Sequence, residues 1–122
     1  MPTSKAKAKY RFGDVVVVPF PYSDRHAEKR RPALVVSNER VAKSGYIWLV
    51  MITSARGRTT ADDLPIDKLA ATGLTSPSVV RPAKIVCLEP ARVVRISGRI
   101  QPELAERVVA ILRSYVGKRE PA

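Results

Sequence analysis

The sequence predicts a mainly β domain that is closed by one C-terminal helix. Short runs of β-branched and other apolar residues recur at 15–18, 33–36 and 47–53, each bounded by Gly, Pro, Ser or Asn. Such runs are typical of strands separated by turns. Because they are almost continuously apolar rather than alternating, we expect strands that are covered on both faces or closed into a small barrel. The apolar period changes to that of a helix only near the end of the chain.

The middle of the chain supplies a loop and the remaining strands. Residues 55–63, ARGRTTADD, are polar and predict a loop. Residues 74–100 predict two or three further strands. Proline cannot donate a ladder hydrogen bond, so Pro77, Pro82 and Pro90 are expected to confine these strands to short lengths or to sheet edges. A compact barrel of short strands follows.

The last segment has the pattern of an amphipathic helix. Pro102 occupies a favourable first helical position, and Gly117 is a suitable stop signal. We expect this helix to cover the barrel or to face a partner. Its apolar positions, three and four residues apart, are Leu104, Val108, Ile111, Leu112 and Tyr115.

The length of 122 residues fits one domain with a modest core. Residues 1–11 alternate Lys and Ala without a core pattern, so they predict a basic flexible tail. The domain itself is expected to span residues 12–117, and residues 118–122 form a second tail.

The charge balance indicates a polyanionic partner. The chain has 22 Lys and Arg against 11 Asp and Glu, which gives a net charge of +11, and its isoelectric point is about 10.4. Nucleic acid is the commonest partner of such a surface. Many soluble proteins are nevertheless basic without binding nucleic acid, so charge alone leaves that alternative open.

Several classes of protein are disfavoured by composition. Cys87 is the only cysteine, so no intramolecular disulfide forms, and its apolar neighbours predict a small buried side chain in a protein of the reducing cytoplasm. No apolar run approaches the roughly 18 residues of a membrane helix, and no signal-peptide core follows the basic start. With one His and one Cys, we predict no metal site, no cofactor and no catalytic triad.

Four segments together resemble the MazF/PemK/Kid toxin family. They are GDVVVVPFPYSD, KRRPALVVS, IWLVMITS and SVVRPAKIVCLEPARVVRISGRI, in the family's order and spanning about residues 13–117. The resemblance implies an SH3-like (CcdB/PemK-type) barrel with a C-terminal helix. It also implies a type II toxin: a dimeric, metal-independent endoribonuclease, or mRNA interferase, that cuts single-stranded RNA at short motifs and is neutralised by an acidic antitoxin.

Metal-free RNA cleavage normally uses the adjacent 2′-hydroxyl as nucleophile and leaves 2′,3′-cyclic phosphate and 5′-hydroxyl ends. The enzyme must stabilise charge on the phosphorane and assist both proton transfers. The family match assigns catalytic roles to Arg31 and Thr53. A guanidinium fork suits phosphate oxygens, but its pKa, above about 12, makes it a poor general base. The structural alternatives are an Arg31 paired with Glu28 and a Thr53 that satisfies local backbone groups.

Other polar residues are expected to bind RNA. His26 is the chain's best proton-transfer group, although substrate contact is the favoured role, and Ser54 is a substitute for Thr53. Some family members have an Asp two residues after the arginine that matches Arg81, whereas this chain has Ala83. The predicted RNA-binding residues are His26, Lys29, Arg30, Ser54, Arg56, Arg81 and Lys84.

Two alternatives to an enzyme stay open at this stage. Ala83 favours a decayed toxin that binds nucleic acid or antitoxin without cutting, whereas Arg31 and Thr53 favour activity. A purely structural SH3-like module for Pro-rich peptides ranks third, because such modules need an aromatic groove and only 6% of residues are aromatic.

Overall fold

Six strands and two α-helices make up the described part of the chain, residues 9–20 and 29–118 of the computed structural model. The strands are β1 (Asp14–Phe20), β2 (Lys29–Val35), β3 (Ile47–Ser54), β4 (Leu64–Pro65), β5 (Ser78–Leu88) and β6 (Arg95–Arg99). The helices are α1 (Glu39–Lys43) and α2 (Pro102–Tyr115), and short 3-10 segments span Ala70–Thr72 and Pro90–Arg92. The strands form one antiparallel sheet in the order β4-β5-β3-β2-β1-β6.

The sheet has an apolar core on each face, which explains the unbroken apolar runs. Successive side chains of a strand point to opposite faces, so neighbours such as Val15 and Val16 are buried in different cores. The helix-side core includes Val15, Leu34, Val50, Ile52, Val80, Leu104 and Val108. The opposite core includes Val16, Val18, Ala33, Val35, Leu49 and Met51. The prediction of strands covered on both faces is confirmed.

Helix α2 covers one face of the sheet as its period predicted. It begins at Pro102, and Leu104, Ala105 and Val108 are buried against the strands. Ile111 and Leu112 are partly buried against the same core. Within the described ranges, neither helix has the length and apolarity that crossing a bilayer requires. The prediction of a mainly β fold with one C-terminal amphipathic helix is confirmed.

Strand β5 is longer than its prolines suggested. It runs for 11 residues through Pro82 and is not confined to a short edge. The reason is an irregularity in its pairing with β3: Met51 lies opposite Arg81, whereas the preceding Val50 lies opposite Ile85. Residues 82–84 therefore form a bulge that has no partner in β3, where the missing N–H of Pro82 costs no ladder hydrogen bond.

Cys87 is exposed, so the prediction of a buried small side chain is wrong. It lies in β5 opposite Trp48 of β3, whose side chain is also exposed. The apolar residues on either side of Cys87 point to the other face of the sheet, where Val86 and Leu88 pack on the opposite core. Where one face of a strand is uncovered, a residue can be exposed even though its neighbours in the sequence are apolar and packed on the other face.

The start of the chain touches the fold before β1. Tyr10 packs against the opposite core, and the ammonium of Lys9 lies 5.6 Å from the centroid of its ring. Residues 1–8 and 119–122 of the predicted tails lie outside the described residues, and the tail boundaries stay predictions.

Candidate functional site

Four strand ends converge at one end of the sheet. β1 ends at Phe20, β2 begins at Lys29, β3 ends at Ser54 and β5 begins at Ser78, and the antiparallel pairing brings these positions together. We call this region the basic end of the sheet. Of the predicted site residues, it contains Lys29, Arg30, Arg31, Thr53, Ser54 and Arg56.

Arg31 and Thr53 lie on neighbouring strands, each two residues beyond the last pair of the β2–β3 ladder. The register of β2 with β3 pairs Ala33 with Met51, and two more residues along each strand lead to Arg31 and Thr53. Both side chains therefore project from the sheet face that carries the opposite core, because Ala33 and Met51 belong to that core. The two predicted catalytic residues are on one face at one end of the sheet.

The strands that flank this pair are firmly packed. Arg31 lies opposite Val18 of β1, which is buried, and Thr53 lies opposite Val79 of β5, which is also buried. Arg31 itself is exposed and Thr53 is half-buried. Because the two side chains leave the same face at the same end of the sheet, a guanidinium and a hydroxyl placed there can both contact one phosphate group.

A cavity of about 270 Å³ adjoins Arg31. Arg30 and Arg95 stand on either side of β1: Arg30 lies opposite Pro19, and Arg95 lies opposite Val17. Among the described residues, three arginines and no acidic residue line the cavity, and this part of the lining is strongly positive. The lining consists of Val17, Arg30, Arg31, Pro32, Gly73, Leu74, Arg95 and Ser97.

One wall of the cavity is a close crossing of the 3-10 segment over β6. A Cβ at Gly98 would lie 2.1 Å from the carbonyl oxygen of Ala71, and one at Gly73 would lie 2.3 Å from that of Ser97. Only glycine permits such an approach. The hydroxyl of Ser97 donates to the carbonyl oxygen of Thr72 at 2.8 Å, which ties the two segments together. The cavity is thus built into the fold.

Ser54 is engaged within its own loop. Its hydroxyl oxygen accepts a hydrogen bond of 3.1 Å from the backbone N–H of Arg56, and its carbonyl faces the N–H of Gly57 at 3.5 Å. The hydroxyl stabilises the turn that follows β3. Arg56 is exposed just beyond this turn.

Arg81 pairs with a carboxylate at the end of the loop that begins with this turn. It lies opposite Met51, one row further into the sheet, where its Nε and Nη2 donate to the two oxygens of Asp63 at 3.0 and 2.9 Å. The hydrogen bond from Arg81 holds the pKa of Asp63 well below its ordinary value, and Asp63 raises the pKa of Arg81 in turn. Most of the donor capacity of Arg81 is used inside the protein.

A second loop residue contacts helix α2. The hydroxyl of Tyr115 donates to Oδ2 of Asp62 at 2.7 Å. This hydrogen bond, with burial and the negative charge of Asp62, raises the pKa of Tyr115 to about 12.

Two of the remaining predicted site residues lie away from the basic end. Lys84 is exposed in the bulge of β5 beside Ala83, which is also exposed. His26 lies outside the described residues. Of the eight candidates that the structure describes, the fold therefore brings six together, and Arg81 and Lys84 lie elsewhere on β5.

The Gly-Asp pair that opens β1 has a structural role. Asp14 is buried, accepts a 2.9 Å hydrogen bond from the backbone N–H of Arg11 and forms an ion pair with Arg99 of β6. Arg99 also donates to the carbonyl oxygen of Phe12 at 3.0 Å. This part of the family signature joins the start of the fold to its last strand.

Comparison with known proteins identifies the family. Residues 11–116 match the family described as PemK-like, MazF-like toxin of type II toxin-antitoxin system. The chain belongs to this family. The match covers nearly all of the described chain, and it confirms the resemblance carried by the four sequence segments. No curated protein matches the chain significantly.

Solved structures of this family share the fold. The Mycobacterium tuberculosis toxin MazF-mt6 superposes with a TM-score of 0.64 at 20% identity, covering 83% of this chain and 93% of that one. A mycobacterial endoribonuclease solved with its cognate antitoxin gives 0.69 at 20% identity, covering 92% and 99%. MazF of Deinococcus radiodurans gives 0.68 at 21% identity, covering 86% and 94%. The predicted SH3-like, PemK-type fold is confirmed.

Two charged residues that the structure places beside predicted site residues were not predicted from the sequence. Arg95 was not singled out, because the register that sets it beside Arg30 joins distant parts of the chain. Asp63 was placed only within a polar loop. Its carboxylate binds Arg81 across 18 residues of sequence, a separation that no local pattern reports.

Proposed function

We propose that the protein is an endoribonuclease toxin that cuts single-stranded RNA at specific sequences without a metal ion. The observation that carries this proposal is the placement of Arg31 and Thr53 on one face at the basic end of the sheet, in a chain of the PemK/MazF-like toxin family.

The reaction is a transesterification within the RNA. The 2′-oxygen attacks the neighbouring phosphorus, the P–O2′ bond forms and the P–O5′ bond breaks. One proton leaves the 2′-hydroxyl and one reaches the departing 5′-oxygen, so the products are a 2′,3′-cyclic phosphate and a 5′-hydroxyl. No water is consumed in this step. The attack places additional negative charge on the phosphoryl oxygens, so the protein has to orient the phosphate and stabilise that charge.

Arg31 and Thr53 supply that stabilisation. The Arg31 guanidinium presents parallel N–H donors to the non-bridging oxygens and keeps its charge at every relevant pH. The Thr53 hydroxyl donates a second hydrogen bond to the same phosphate. His26 is the only histidine of the chain, and we assign it to substrate contact.

Phosphates that flank the cut contact the other cations of the basic end. Arg30 and Arg95 border the cavity beside Arg31, and they hold a neighbouring phosphate there. Lys29 and Arg56 extend the positive surface on either side. Contacts of this kind give affinity and steep salt dependence without reading the sequence.

Two protein partners follow from the surface. A mycobacterial structural neighbour was solved with its cognate antitoxin, and for this chain a net charge of +11 favours an acidic antitoxin segment that competes with RNA.

A second copy of the chain is the other partner. Trp48, Ile85 and Cys87 share one face of β3 and β5 and are exposed, with Ile85 at 51%, and a symmetric dimer covers such apolar surface.

A second candidate is a binder that retains the fold without cutting. Its support is Ala83, which stands exposed in the bulge where some family members have an Asp. Such a protein would bind RNA or antitoxin through the same basic end and leave RNA intact.

One cleavage assay separates the two candidates. Purified protein is incubated in EDTA with a long single-stranded RNA of mixed sequence, and both ends of each product are mapped. Arg31→Ala, purified in the same way, controls for contaminating nucleases. Arg40→Ala is a matched control, because Arg40 is an exposed arginine of α1 at the far end of β2.

Discrete cuts with 2′,3′-cyclic phosphate and 5′-hydroxyl ends, present with Arg40→Ala and absent with Arg31→Ala, are the expected result. Intact RNA in the presence of folded protein that binds it would instead establish the binder, and Ala83→Asp would be the first substitution to test.

A further inference from the structure

The loop between β3 and β4, residues 55–63, is attached to β5 by one arginine. We propose that the ion pair of Arg81 with Asp63 holds this β3–β4 loop in the shape that selects the RNA sequence to be cut. Arg81 and Asp63 are then positioning residues, and neither touches the substrate. This inference rests on the proposed ribonuclease function and adds to it the origin of the specificity.

The carboxylate of Asp63 is fully occupied. It accepts four hydrogen bonds: from Nε and Nη2 of Arg81 at 3.0 and 2.9 Å, and from the backbone N–H and the hydroxyl of Thr60 at 2.8 and 2.7 Å. An ionised carboxylate offers about four acceptor positions. A saturated carboxylate of this kind fixes both the loop residue that bears it and the residues it contacts.

Arg81 reaches further into the loop. Its Nη2 also donates to the carbonyl oxygen of Arg58 at 2.8 Å, so one guanidinium holds the loop at two points. Its side chain is 19% exposed and that of Asp63 only 5%. A pair so well shielded from water is screened little by salt, and it is poorly placed to exchange its carboxylate for a phosphate.

Further contacts hold the two ends of the loop. At its start, the N–H of Ala55 donates to the carbonyl oxygen of Pro77 at 3.0 Å, and Ser54 stabilises the first turn. At its end, Asp62 binds the Tyr115 hydroxyl of α2. The segment that includes Arg56 and Arg58 is therefore held on both sides, at a place that directly follows Thr53.

Sequence choice needs such a fixed loop. Single-stranded RNA is read by stacking and by hydrogen bonds to base edges, and misplacing a reading group by about 1 Å removes discrimination. Phosphate contacts, by contrast, tolerate movement because they read no sequence. Loosening the loop should therefore change which RNA is cut much more than how tightly RNA is bound.

The test compares four variants in the mapping assay with a mixed-sequence RNA, and one of them, Arg81→Ala, removes both the guanidinium and its charge. Asp63→Asn keeps the shape of the side chain but removes its charge. Arg81→Lys keeps the positive charge but loses the fork that bridges Asp63 and the Arg58 carbonyl. Asp67→Asn, an exposed aspartate just after β4, is the matched control. Rates are measured for the preferred motif and for one-base variants of it.

We expect Asp63→Asn and Arg81→Lys to lower the ratio of these rates at least about tenfold, while RNA affinity and its salt dependence stay within twofold of the parent and Asp67→Asn matches the parent throughout. Unchanged cut sites in both variants would overturn the proposal. So would a loss of RNA affinity in Arg81→Ala but not in Arg81→Lys, because that pattern marks a phosphate ligand.

A spectroscopic measurement covers the case in which a variant does not fold. The Nε–H of Arg81 in the unmodified protein should give a slowly exchanging NMR signal that shifts little when an uncleavable RNA, 2′-deoxy at the cut site, is added. A large shift on RNA binding would show direct contact and refute the positioning role. If the parent protein itself cuts no RNA, the proposed function fails; if it cuts and the variants keep its motif, only this inference fails.

Discussion

Two sets of arginines in this protein differ in whether a carboxylate accompanies them. Arg81 and Arg99 each hold an aspartate that is almost completely buried, and each also binds a backbone carbonyl. Within residues 9–20 and 29–118, by contrast, no ion pair involves Arg30, Arg31 or Arg95. The first set joins distant strands and a loop, whereas the second set faces solvent around one cavity at the end of the sheet.

The difference shows that the role of an arginine in this fold depends on whether the tertiary structure places a carboxylate within reach of its guanidinium. A paired guanidinium has satisfied donors and little free charge, so it acts as a structural connector. A guanidinium without a carboxylate keeps its N–H donors and its charge available to an anion. RNA phosphates are the natural occupants of such a region.

The largest expected effect comes from removing Arg31. Arg31→Ala should lower the rate of RNA cleavage by a factor of at least about 10² to 10³, the usual effect of losing one charge-stabilising donor, with a much smaller loss of RNA affinity. Single-turnover kinetics with a labelled RNA would separate the two. If bound RNA were still cut at nearly the normal rate while affinity collapsed, Arg31 would belong with the flanking phosphate contacts instead.

Removing the carboxylate from a paired arginine should affect stability first. Asp63→Asn leaves a mostly buried guanidinium without its counter-charge, and we expect a loss of about 2 kcal/mol in the free energy of unfolding at neutral pH. Urea titrations monitored by circular dichroism measure this. Asp67→Asn should show no comparable change.

The pH dependence of this loss has a defined sign. The pKa of Asp63 is lowered in the folded protein, so its contribution is complete above the unfolded value of about 3.9 and declines as the pH falls below it. The gap between parent and Asp63→Asn should narrow by about 1 kcal/mol from pH 5 to pH 3. A constant gap would mean that the charge of Asp63 is not what stabilises the loop.

The unpaired arginines should appear in the salt dependence of binding. Arg30→Gln and Arg95→Gln should each reduce the slope of log affinity for single-stranded RNA against log salt concentration by about 0.7, with Arg40→Gln as the control. The measurement uses the uncleavable RNA. A slope that responds to Arg30 but not to Arg95 would confine the phosphate contacts to β2 and exclude the cavity.

The smallest expected effect concerns the outer hydrogen bond of the loop. The pKa of Tyr115 is raised to about 12, so its phenol should ionise at a higher pH than an ordinary tyrosine, whose pKa is about 10. Ultraviolet titrations of the parent, Tyr115→Phe and Asp62→Asn would identify it. In Asp62→Asn the late transition should move back towards the ordinary value, and its persistence would assign the shift to burial.

Local patterns predicted most of the fold. Runs of β-branched and other apolar residues predicted β1, β2 and β3, and the spacing of Leu104 and Val108 predicted the buried face of α2, because burial of alternate or periodic side chains is a local property. Helix α1 went unpredicted, since its five residues bury no side chain completely. Pro82 was misleading because a bulge, invisible in the sequence, removes the hydrogen bond that proline lacks.

The candidate site was harder to predict than the fold. Arg31 and Thr53 came from the family resemblance, and their mutual placement required the register of β2 and β3. The partner of Arg81 and the position of Arg95 depend on pairings between strands that are far apart in the chain. The sequence alone does not distinguish paired from unpaired arginines, because the carboxylate that pairs with an arginine is brought next to it only by the tertiary structure.

The pairing of β1 with β6 also bears on how the protein is made. It joins Val16 to Ile96, near the two ends of the chain, and the cavity beside Arg31 needs Arg95 and Ser97 from the later strand. Contacts between such distant residues form late and slowly in folding. A ribosome can therefore release the first five strands without completing the basic cavity, and the emerging chain acquires it only after β6 has been synthesised.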